Sequence, residues 1–592
     1  MPRRLLLALL LSAALGACAH APSSPSPPAS QAMVAAADPR AVQAGLDMLA
    51  AGGTATDAAI ATIAVLGLVE PQSAGVGGGG FMVAYDKASG AVEAFDGREA
   101  APAAATPDYF LGPDGKPLPF LQAVASGKST GAPSLYAMLK MAHDENGKLP
   151  WAKLFDPAIK LAEDGFIVSP RMSDSIVMVN NATGFTDPAA RAYLFTPEGA
   201  PLPVGYLRKN PEYAATMRAL AKQGPAALQQ GPIAEAILKA THADPMPGVL
   251  TLADLKNVKP VKRAAICGSY REYKVCGAPP PTSGGIAVID ILGLFAKARP
   301  APKGPADADD WAAFFWASRI AYADRDYYVA DDTAAPVPVS GLIDPRYVVE
   351  RAKLIDLAKP APKPLMPGDP SLVTGGPSQY GRWSLPNDPP EGGTTHMSII
   401  DNAGNVVSMT ASVESVLGSH RMVGGFFLNN QLTDFSMAPR RGGKPVANAV
   451  APGKKPRSSM APTIVFDKNG KFYAAIGSPG GSSIIAYVAK TIIGVVDWKL
   501  PMQDAIKLPN VVANGETIRI EAGKFPETIA TTLRARGWTI SPGGGEISGL
   551  NGIRMSGAAL DGASDPRREG VARLLAPGRV AQGDGENRTA GP

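Results

Sequence analysis

Apolar and polar residues follow two different periods along the chain, and each period predicts one type of element. Residues 40–49 repeat apolar side chains every three to four positions, whereas residues 58–68 are apolar almost throughout, as in a buried helix. Gly52-Gly53 between them indicates a turn. Further helices are predicted at residues 151–163, 309–326 and 482–498.

Short apolar or alternating segments bounded by turn residues predict strands. They lie at residues 81–85, 92–95, 396–400, 406–413, 463–466 and 472–476. The sequence DNAGN at residues 401–405 joins two of them and is a hairpin signal. Residues 361–393 are instead rich in Pro, Gly and Ser and show little periodicity, which predicts a long connection. The chain is therefore expected to mix helices with sheets and to change pattern near residue 394.

The N-terminus has the features of an export signal. Two arginines precede an apolar stretch at residues 5–17 that is too short to span a bilayer, and the LGAC motif ending at Cys18 resembles a bacterial lipobox. Residues 1–17 are therefore predicted to be a signal peptide and residues 18–32 a Pro/Ser-rich tether that begins at a lipidated Cys18. The protein is expected in the periplasm, anchored by this lipid. A plain secretory signal with an incidental Cys18 is the alternative.

Export places the remaining cysteines in an oxidising compartment. Cys267 and Cys276 flank the sequence GSYREYKV, which is typical of a turn followed by a strand. A disulfide across a hairpin and a pair of buried thiols both remain open.

The composition excludes several kinds of function. Only 5 His and 3 Cys occur among the 592 residues, which leaves almost no ligands for multi-histidine, four-cysteine or iron–sulfur sites. We therefore expect neither a metal nor a cofactor. The net charge of +5 is small and forms no dense basic block, which argues against a nucleic-acid partner. No other apolar run is long enough to span a membrane, so membrane contact is expected only through the lipid anchor.

Candidate chemistry gathers around Thr394, which follows Gly393 at the start of a predicted strand. The sequence GSPGGS at residues 477–482 leads from a predicted strand into a predicted helix. Glycines in such a turn allow two backbone N–H groups to converge at the positive end of a helix, as in an oxyanion hole.

Two further groups of residues can bind the ends of an amino acid. Ser458 and Ser459 offer adjacent hydroxyls and Arg98 offers a guanidinium, a combination suited to a carboxylate. The sequence NNQLTD at residues 429–434 groups amide and acid acceptors suited to an ammonium ion. The sequence therefore predicts a nucleophile, an oxyanion site and a binding site for a zwitterion.

At these residues the sequence resembles the γ-glutamyltranspeptidase family, over nearly the whole body of the chain. The similar blocks are AGGTATDAAIATIAVLGLVEPQSAGVGGGGFMVAYD (51–86), PAIKLAEDGF (157–166), PPPTSGG (279–285), AYADRDYY (321–328), GTTHMSIIDNAGNVVSMTASVES (393–415), FFLNNQLTDFS (426–436), SSMAPTIVF (458–466), GSPGGSSII (477–485) and DGASDPRREG (561–570). Because the blocks are long and occur in order, chance similarity is excluded.

The resemblance implies an α+β fold, namely the four-layer αββα sandwich of the N-terminal nucleophile hydrolases. It also implies self-cleavage of the Gly393–Thr394 bond, so that one fold is built from two chains. The large subunit would comprise residues 33–393 and the small subunit residues 394–592, with residues 577–592 a disordered tail. The two subunits would be each other's partner in a heterodimer.

The resemblance also implies the role of each site residue. Thr394 would be the nucleophile, and its freed α-amine would be the base. The remaining catalytic residues would be Gly480 and Gly481, as the oxyanion hole, and Ser412, in support of the nucleophile. The substrate's α-carboxylate would be held by Arg98, Ser458 and Ser459, and its α-ammonium by Glu414, Gln431 and Asp434. Arg567 is a further candidate that would brace the site from the small subunit.

The implied activity is hydrolysis or transfer of γ-glutamyl groups from glutathione and related compounds, with water, an amino acid or a peptide as acceptor. Two departures from the family pattern modify this expectation. Glu414 stands where some members have Asn, and residues 437–447 form a shorter loop than the expected lid, which is similar to a cephalosporin-acylase-like subgroup. An amidase for other acyl groups, such as glutaryl β-lactams, is therefore the first alternative, and an uncleaved non-catalytic lipoprotein is a remote one.

The histidines suggest another reading that the sequence disfavours. His396 and His420 invite a Ser–His–Asp arrangement, but no Gly-x-Ser-x-Gly motif occurs in the chain. We expect His396 to pack beside the nucleophile instead.

Overall fold

The computed structural model describes residues 31–385, 392–543 and 548–576. The predicted signal peptide, Cys18, most of the tether and the predicted tail at 577–592 lie outside the described residues.

Helices and strands alternate irregularly along these residues. The helices are α1 (Pro39–Ala50), α2 (Ala55–Val69), α3 (Phe120–Val124), α4 (Leu135–Asn146), α5 (Asp156–Asp164), α6 (Pro170–Ala182), α7 (Pro188–Leu194), α8 (Pro211–Gln223), α9 (Ala226–Gln229), α10 (Gly231–Thr241), α11 (Leu252–Asn257), α12 (Gly284–Ala298), α13 (Ala308–Tyr328), α14 (Val339–Leu342), α15 (Pro345–Ala352), α16 (Ser371–Thr374), α17 (Ile484–Val496), α18 (Met502–Lys507) and α19 (Glu527–Ala535). Short 3₁₀ turns lie at Gly127–Ser129, Trp151–Phe155, Gln431–Asp434 and Gly481–Ser483.

The strands are β1 (Met33–Ala36), β2 (Gly79–Tyr85), β3 (Val92–Gly97), β4 (Phe166–Ile167), β5 (Leu207–Arg208), β6 (Val261–Ala264), β7 (Ile266–Tyr270), β8 (Tyr273–Gly277), β9 (Gly393–Ile400), β10 (Val406–Glu414), β11 (Met422–Val423), β12 (Phe426–Phe427), β13 (Arg440–Arg441), β14 (Lys444–Pro445), β15 (Thr463–Phe466), β16 (Phe472–Gly477), β17 (Val511–Val512), β18 (Ile518–Glu521), β19 (Ile540–Gly543), β20 (Asn551–Ser556), β21 (Ala559–Ser564) and β22 (Val571–Leu574).

The first large sheet contains β9, which begins at the predicted cleavage site. Among the described residues its strand order is β22-β1-β9-β10-β2-β3-β6, and all neighbours run antiparallel. The turn between β9 and β10 is the predicted hairpin, in which Asp401 accepts hydrogen bonds from the N–H groups of Ala403 and Asn405 at 2.9 Å. Its other carboxylate oxygen accepts from the N–H of Ala55 at 3.0 Å. Asp401 therefore ties the hairpin to the start of α2.

The second large sheet has the order β21-β20-β16-β15-β8-β7 among the described residues, again antiparallel throughout. Cys267 on β7 lies directly opposite Cys276 on β8, and the two form a disulfide. Of the two alternatives that the sequence leaves open, the structure contains the disulfide across the hairpin.

The two sheets stack face to face between layers of helices. Successive residues of a strand face opposite sides, so Val34 and Ala36 of β1 join the core under α1 and α2. Met33 and Ala35 join the core shared with the second sheet. On the far side, α12 packs on β7 and α17 packs on β16. This order of helix, sheet, sheet and helix is the predicted αββα sandwich.

Helix α2 shows why these segments fold locally. Thr54 caps its N-terminus by accepting from the Asp57 N–H at 3.2 Å, and the Asp57 side chain accepts from the Thr54 N–H at 2.9 Å. This capping box defines where the helix begins. All 15 residues of α2 are buried, as the nearly continuous apolar pattern predicts.

Residues on both sides of Gly393 contribute to both sheets. The first sheet takes β1, β2, β3 and β6 from residues before Gly393, and β9, β10 and β22 from residue 393 onward. The second sheet likewise combines β7 and β8 with β15, β16, β20 and β21. Within the described ranges, no helix is both long enough and apolar enough to cross a membrane.

Candidate active site

A row of polar side chains lies between the two sheets, on the inner face of β9 and β10. The cross-strand pairs are Thr394–Ser412, His396–Thr410 and Ser398–Ser408. All of these residues are buried, and Thr394 is 5% exposed. Because buried polar groups need hydrogen-bond partners, this row marks where the sequence departs from an apolar core. Its end at Thr394 opens on a cleft.

The Ser412 hydroxyl connects Thr394 with the peptide bond that precedes it. Its Oγ lies 3.1 Å from Thr394 Oγ1 and donates to the carbonyl oxygen of Gly393 at 2.5 Å. The N–H of Glu414 donates to the same Oγ at 2.8 Å. Since a serine hydroxyl has only one proton, Ser412 accepts from the Thr394 hydroxyl while it donates to Gly393. The hydroxyl of Thr394 is thus held beside a carbonyl group that is already polarised.

His396 belongs to the same polar row but does not serve Thr394 as a base. Its Nδ1 lies 2.8 Å from Thr410 Oγ1 and its Nε2 lies 3.2 Å from Ser398 Oγ. Burial lowers the pKa of His396 to about 3, so the ring is neutral. In the described part of the chain neither His396 nor His420 hydrogen-bonds to Thr394. The expected packing of His396 beside the nucleophile agrees with this geometry.

The glycine-rich turn between β16 and α17 faces Thr394. Gly480 has φ of +135°, and a Cβ at this position would lie 2.6 Å from the Tyr487 ring. Gly481 begins the 3₁₀ turn that continues as α17, and N–H groups at the start of a helix lack intrahelical acceptors. Gly481 lines the cleft together with Thr394, and Gly480 lies one residue behind it. The turn therefore presents backbone donors next to the threonine.

Arg98, 1% exposed, is held in the wall of the cleft by backbone acceptors. Its Nε donates to the carbonyl oxygen of Pro456 at 3.1 Å, and its Nη2 donates to that of Arg457 at 2.8 Å. Nη2 also forms an ion pair with Asp434. Nη1 makes no hydrogen bond within the described residues, and a carboxylate oxygen of Glu99 lies 3.9 Å from it. Two N–H groups of a fixed guanidinium are therefore available to a further anion.

The 3₁₀ turn Gln431–Asp434 brings an acid and an amide to the same wall. Gln431 Nε2 donates to Asp434 Oδ2 at 2.7 Å. The backbone carbonyl oxygen of Asp434 accepts from Asn448 Nδ2 at 2.6 Å, which fixes the turn. Gln431 Oε1 is buried and has no hydrogen-bond partner among the described residues. This oxygen is an acceptor that a cationic ligand can satisfy.

Glu414 enters the cleft from an irregular end of β10. The register between β9 and β10 shifts between Ser412 and Glu414, and Glu414 has φ of +82°. This value is rare for a residue with a side chain and is typical of functional positions. The carboxylate accepts from Asn430 Nδ2 and from the Ser415 hydroxyl, the latter at 2.6 Å. Glu414 thus adds a second negative charge to the cleft.

Among the described residues, the hydroxyl groups of Ser458 and Ser459 accept hydrogen bonds but donate none. Ser459 Oγ accepts from Arg325 Nη2 at 2.6 Å, and Ser458 Oγ accepts from the N–H of Met460 at 3.1 Å. Both side chains line the cleft with Arg98. Hydroxyl donors next to a guanidinium suit a carboxylate.

Glu99 lies behind Arg98 and was not singled out from the sequence. Its carboxylate oxygens have no hydrogen-bond partner among the described residues. Burial raises the pKa of Glu99 to about 8, although the positive charge of Arg98 acts in the opposite direction. Because Glu99 is largely neutral at neutral pH, the positive charge of Arg98 interacts with Asp434 and is available to an anionic ligand.

The structure brings most of the predicted site residues into one cleft. Those that line it are Arg98, Thr394, Ser412, Glu414, Gln431, Asp434, Ser458, Ser459 and Gly481. Gly480 lies behind the lining and Gly393 contacts Ser412. Met460 and Ile484 complete the wall.

The arginine that contacts Thr394 from the C-terminal segment is Arg568, not the expected Arg567. Arg567 donates to the carboxylates of Glu521 and Asp565, and among the described residues it does not line the cleft. Arg568 Nη1 donates to the carbonyl oxygen of Thr394 at 3.0 Å. The two arginines are adjacent in sequence, so no periodicity distinguishes them.

Metal chemistry finds no support in the side chains that the structure describes. Within those ranges, no group of three or more His, Cys, Asp or Glu residues is arranged to hold a metal ion.

Comparisons with known proteins agree with this geometry. A sequence model of the family described as gamma-glutamyltranspeptidase matches residues 41–575. The glutathione hydrolase proenzyme of Bacillus subtilis (strain 168) is 35% identical over 545 residues, which cover 91% of this chain and 91% of that protein. The glutathione hydrolase proenzyme of Escherichia coli (strain K12) is 35% identical over 593 residues, which cover 95% of this chain and 97% of that protein.

A solved structure shows the same fold. The crystal structure of cephalosporin acylase from Bacillus halodurans superposes with a TM-score of 0.78 at 26% identity, covering 93% of this chain and 98% of that chain. The predicted fold class and the predicted resemblance are thereby confirmed. Since the family model spans nearly all of the described residues, the chain belongs to the γ-glutamyltranspeptidase family.

Proposed function

We propose that the chain is a self-processing γ-glutamyl hydrolase/transferase that acts on glutathione and related γ-glutamyl amides. The two relatives described above support this, because each is named a glutathione hydrolase proenzyme. The observation that carries the proposal is the contact of Ser412 with both the Thr394 hydroxyl and the Gly393 carbonyl oxygen. It joins a nucleophile to the bond that must break before a free terminal amine exists.

Cleavage proceeds in two steps. Thr394 Oγ1 attacks the carbonyl carbon of Gly393, the C–N bond breaks, and the hydroxyl proton passes to the Thr394 nitrogen. Water then hydrolyses the resulting ester and restores the hydroxyl group. The products are a large subunit, residues 33–393 after the leader and tether, and a small subunit, residues 394–592, that begins with a free α-amine.

Turnover uses this amine as the base. An α-amine has a pKa of roughly 7.7–8.0 and is partly neutral at neutral pH. It takes the proton of Thr394 Oγ1, which attacks the γ-carbonyl carbon of the substrate. The N–H groups of Gly480 and Gly481 stabilise the oxyanion. The amine returns the proton to the leaving amino group, and water or an amino acid then accepts the γ-glutamyl group.

The walls of the cleft suit the two charges of the γ-glutamyl group. The α-carboxylate takes the available Nη1 of Arg98 and the hydroxyl protons of Ser458 and Ser459. The α-ammonium is held by Gln431 Oε1 and the carboxylates of Asp434 and Glu414. The site therefore selects a substrate whose end carries both charges.

The proposal extends to the N-terminus of the chain, where the lipobox-like sequence at Cys18 supports export and anchoring through a lipid.

The first prediction concerns Thr394 itself. Thr394→Ala is expected to leave a single uncleaved chain without activity, because both the nucleophile and the new amine are lost. Thr394→Ser should cleave more slowly. Thr395→Ala is the matched control, since Thr395 is equally buried but belongs to the other face of β9. Intact-mass measurement tests cleavage, and an assay with γ-glutamyl-p-nitroanilide tests activity. An active Thr394→Ala protein would refute the mechanism.

A second candidate function is hydrolysis of glutaryl amides, and the structural similarity to a cephalosporin acylase favours it. A glutaryl group keeps the carboxylate that Arg98 would hold but has no α-ammonium. The two substrates therefore differ at the part of the cleft that contains Asp434.

Asp434→Asn is expected to separate the two activities. It should lower kcat/KM for γ-glutamyl-p-nitroanilide by about 100-fold, since a charge-assisted contact of roughly 2–3 kcal/mol is lost. The value for glutaryl-p-nitroanilide should stay equal or rise. Asp467→Asn, in the turn between β15 and β16, is the control that should change neither value. Equal losses on both substrates would show that Asp434 does not contact the ammonium.

A further inference from the structure

Two hydrogen bonds to backbone carbonyl oxygens fix the side chain of Arg568 beside the N-terminus that cleavage would create. Its Nη1 donates to the carbonyl oxygen of Thr394 at 3.0 Å, and its Nε donates to that of Ser548 at 2.9 Å. A Cβ at Gly549 would lie 2.6 Å from Cδ and Nε of Arg568. The glycine thus leaves room for the arginine to reach β9.

Thr394 needs such a contact because its strand is supported unevenly. The β10 ladder extends along β9 as far as Thr394 and Gly393. The β1 ladder on the other side of β9 ends at Met397. Once the bond to Gly393 is broken, Thr394 has lost its covalent support on the N-terminal side. The hydrogen bond from Arg568 fixes its carbonyl group where β1 does not reach.

The same contact brings a positive charge close to the new amine. Three covalent bonds join the Thr394 nitrogen to its carbonyl oxygen, so the two atoms are at most about 4 Å apart. Arg568 Nη1 is therefore within about 7 Å of the amine by the lengths of those bonds. A like charge at this range disfavours the ammonium form and lowers its pKa.

Charged groups of both signs lie near Arg568, and the acidic ones, Glu70 and Asp565, favour its charged form. Glu70 on α2 pairs with Arg171 on α6 at 3.2 Å, and Asp565 pairs with Arg567 at 3.0 Å. Burial and then Arg171 lower the pKa of Arg568 to about 9, so it remains mostly protonated at neutral pH. Tyr487 on α17 also faces it.

The cleft contributes charges of both signs to the neighbourhood of Thr394. Asp434 is paired with Arg98. Glu414 on β10 opposes the effect of Arg568, and His396 on β9 is neutral. Among the described residues, Arg568 is thus the cation that hydrogen-bonds directly to the residue bearing the amine.

We propose that Arg568 is a positioning residue for the cleaved terminus, which fixes Thr394 through its carbonyl oxygen and increases the unprotonated fraction of the α-amine at neutral pH. The inference rests on the proposed function, because the amine exists only after cleavage at Gly393–Thr394.

Two variants separate charge from geometry, and both are tested after cleavage has been verified by intact mass. Arg568→Gln removes the charge and is expected to move the acid limb of the kcat/KM profile for γ-glutamyl-p-nitroanilide upward by about one pH unit. Arg568→Lys keeps the charge but shortens the fork, so kcat should fall about tenfold while the acid limb stays in place. If the Arg568→Gln precursor does not cleave, the test rests on Arg568→Lys alone. A shifted acid limb or an unchanged kcat in Arg568→Lys then overturns the proposal.

Arg421→Gln is the matched control. Its guanidinium also donates to backbone carbonyl oxygens, those of Ala240, Ala243 and Pro245, and it does not line the cleft. Its acid limb should not move, and an equal shift would overturn the proposal. Competitive acetylation of the small subunit's N-terminus as a function of pH measures the pKa of the same amine without turnover. A cleaved wild-type protein that is inactive on the γ-glutamyl substrate refutes the proposed function. If instead the α-amine has the same pKa in Arg568→Gln as in the wild type, the role of Arg568 is refuted.

Discussion

At the scale of single residues, Ser412 combines two tasks in one hydroxyl group. Its proton is directed to the Gly393 carbonyl oxygen and its lone pairs accept from Thr394 and from the Glu414 N–H. An alanine here removes the donor to the carbonyl group that develops negative charge during attack. Loss of one such donor costs about 10²–10³-fold in rate in other enzymes.

Ser412→Ala is therefore expected to slow cleavage of the precursor by about 100-fold. Ser412→Thr should cleave at a rate near that of the wild type, because the hydroxyl group is retained. The small-subunit band, followed over time by gel and mass, measures the rate. Ser408→Ala is the control on the same strand, where the hydroxyl bonds to the backbone of β15 and β16 instead. Equal cleavage rates for Ser412→Ala and Ser408→Ala would contradict the proposed role.

Residue identity was predictable from sequence where a motif isolates one side chain. Arg98 is an example, because it is the only arginine in FDGRE (95–99), and Thr394 is another, because the neighbouring Thr395 belongs to the other face of β9. Arg567 and Arg568 are adjacent, and which of them reaches β9 depends on the turn at Asp565. Glu99 was likewise not predictable from sequence, because its burial behind Arg98 depends on packing between segments that are distant in sequence.

At the scale of elements, the turn between β16 and α17, which carries the proposed oxyanion hole, leaves no room for a side chain at Gly480. Gly480 has φ of +135°, and a Cβ there would lie 2.6 Å from the Tyr487 ring. Alanine therefore strains the backbone and displaces the ring at once. Either change moves the backbone of the turn that lines the cleft beside Thr394.

Gly480→Ala is expected to lower kcat by at least about 100-fold with little change in KM, because the oxyanion forms only in the transition state. Gly470→Ala is the matched control: it also has a positive φ, +74°, but no atom lies within 4 Å of its added Cβ. It should lose some stability and retain its kcat. Steady-state kinetics on verified two-chain protein provides the comparison. A Gly480→Ala protein with normal kcat would exclude this turn from catalysis.

Elements with a strong local pattern agree with their predicted positions. The predicted helices at residues 40–49, 58–68 and 309–326 correspond to α1, α2 and α13. The predicted helix at residues 151–163 divides into a 3₁₀ turn and α5, because Pro157 starts a new helix at its first turn. Strands β1 and β22 have four residues each, too few for a period to be recognised.

At the scale of the whole molecule, the two predicted subunits are interleaved rather than side by side. Strand β1 lies between β9 and β22, so a strand of the large subunit is enclosed by two of the small one. The second sheet joins β8 to β15 across the same boundary. Such a topology keeps the subunits together after cleavage. Family resemblance implied two pieces of one fold, but the strand order depends on pairings more than 350 residues apart in sequence, which no local pattern reveals.

Stability of the whole fold should fall in acid because buried histidines are kept neutral. Burial lowers the pKa of His420 to about 4, below its usual value near 6.5 in an unfolded chain. The unfolded state therefore binds more protons between these values, and the associated stability is present above about pH 6.5 and lost as the pH falls to about 4. Burial has the same effect on His396, whose pKa is lowered to about 3.

His420→Asn isolates one of these two contributions. Asn tolerates the left-handed backbone that His420 adopts, with φ of +61°, and does not titrate. Urea unfolding of the uncleaved Thr394→Ala chain, with and without His420→Asn, gives the difference in unfolding free energy at pH 8 and at pH 5. The value at pH 8 measures lost packing against Thr183 and Phe185. Between pH 8 and pH 5 the difference should move by about 2 kcal/mol in favour of the asparagine variant, because pH 5 lies about 1.5 units below the unfolded pKa of histidine and each unit is worth about 1.4 kcal/mol. A difference independent of pH would show that His420 is charged in the folded protein at pH 5.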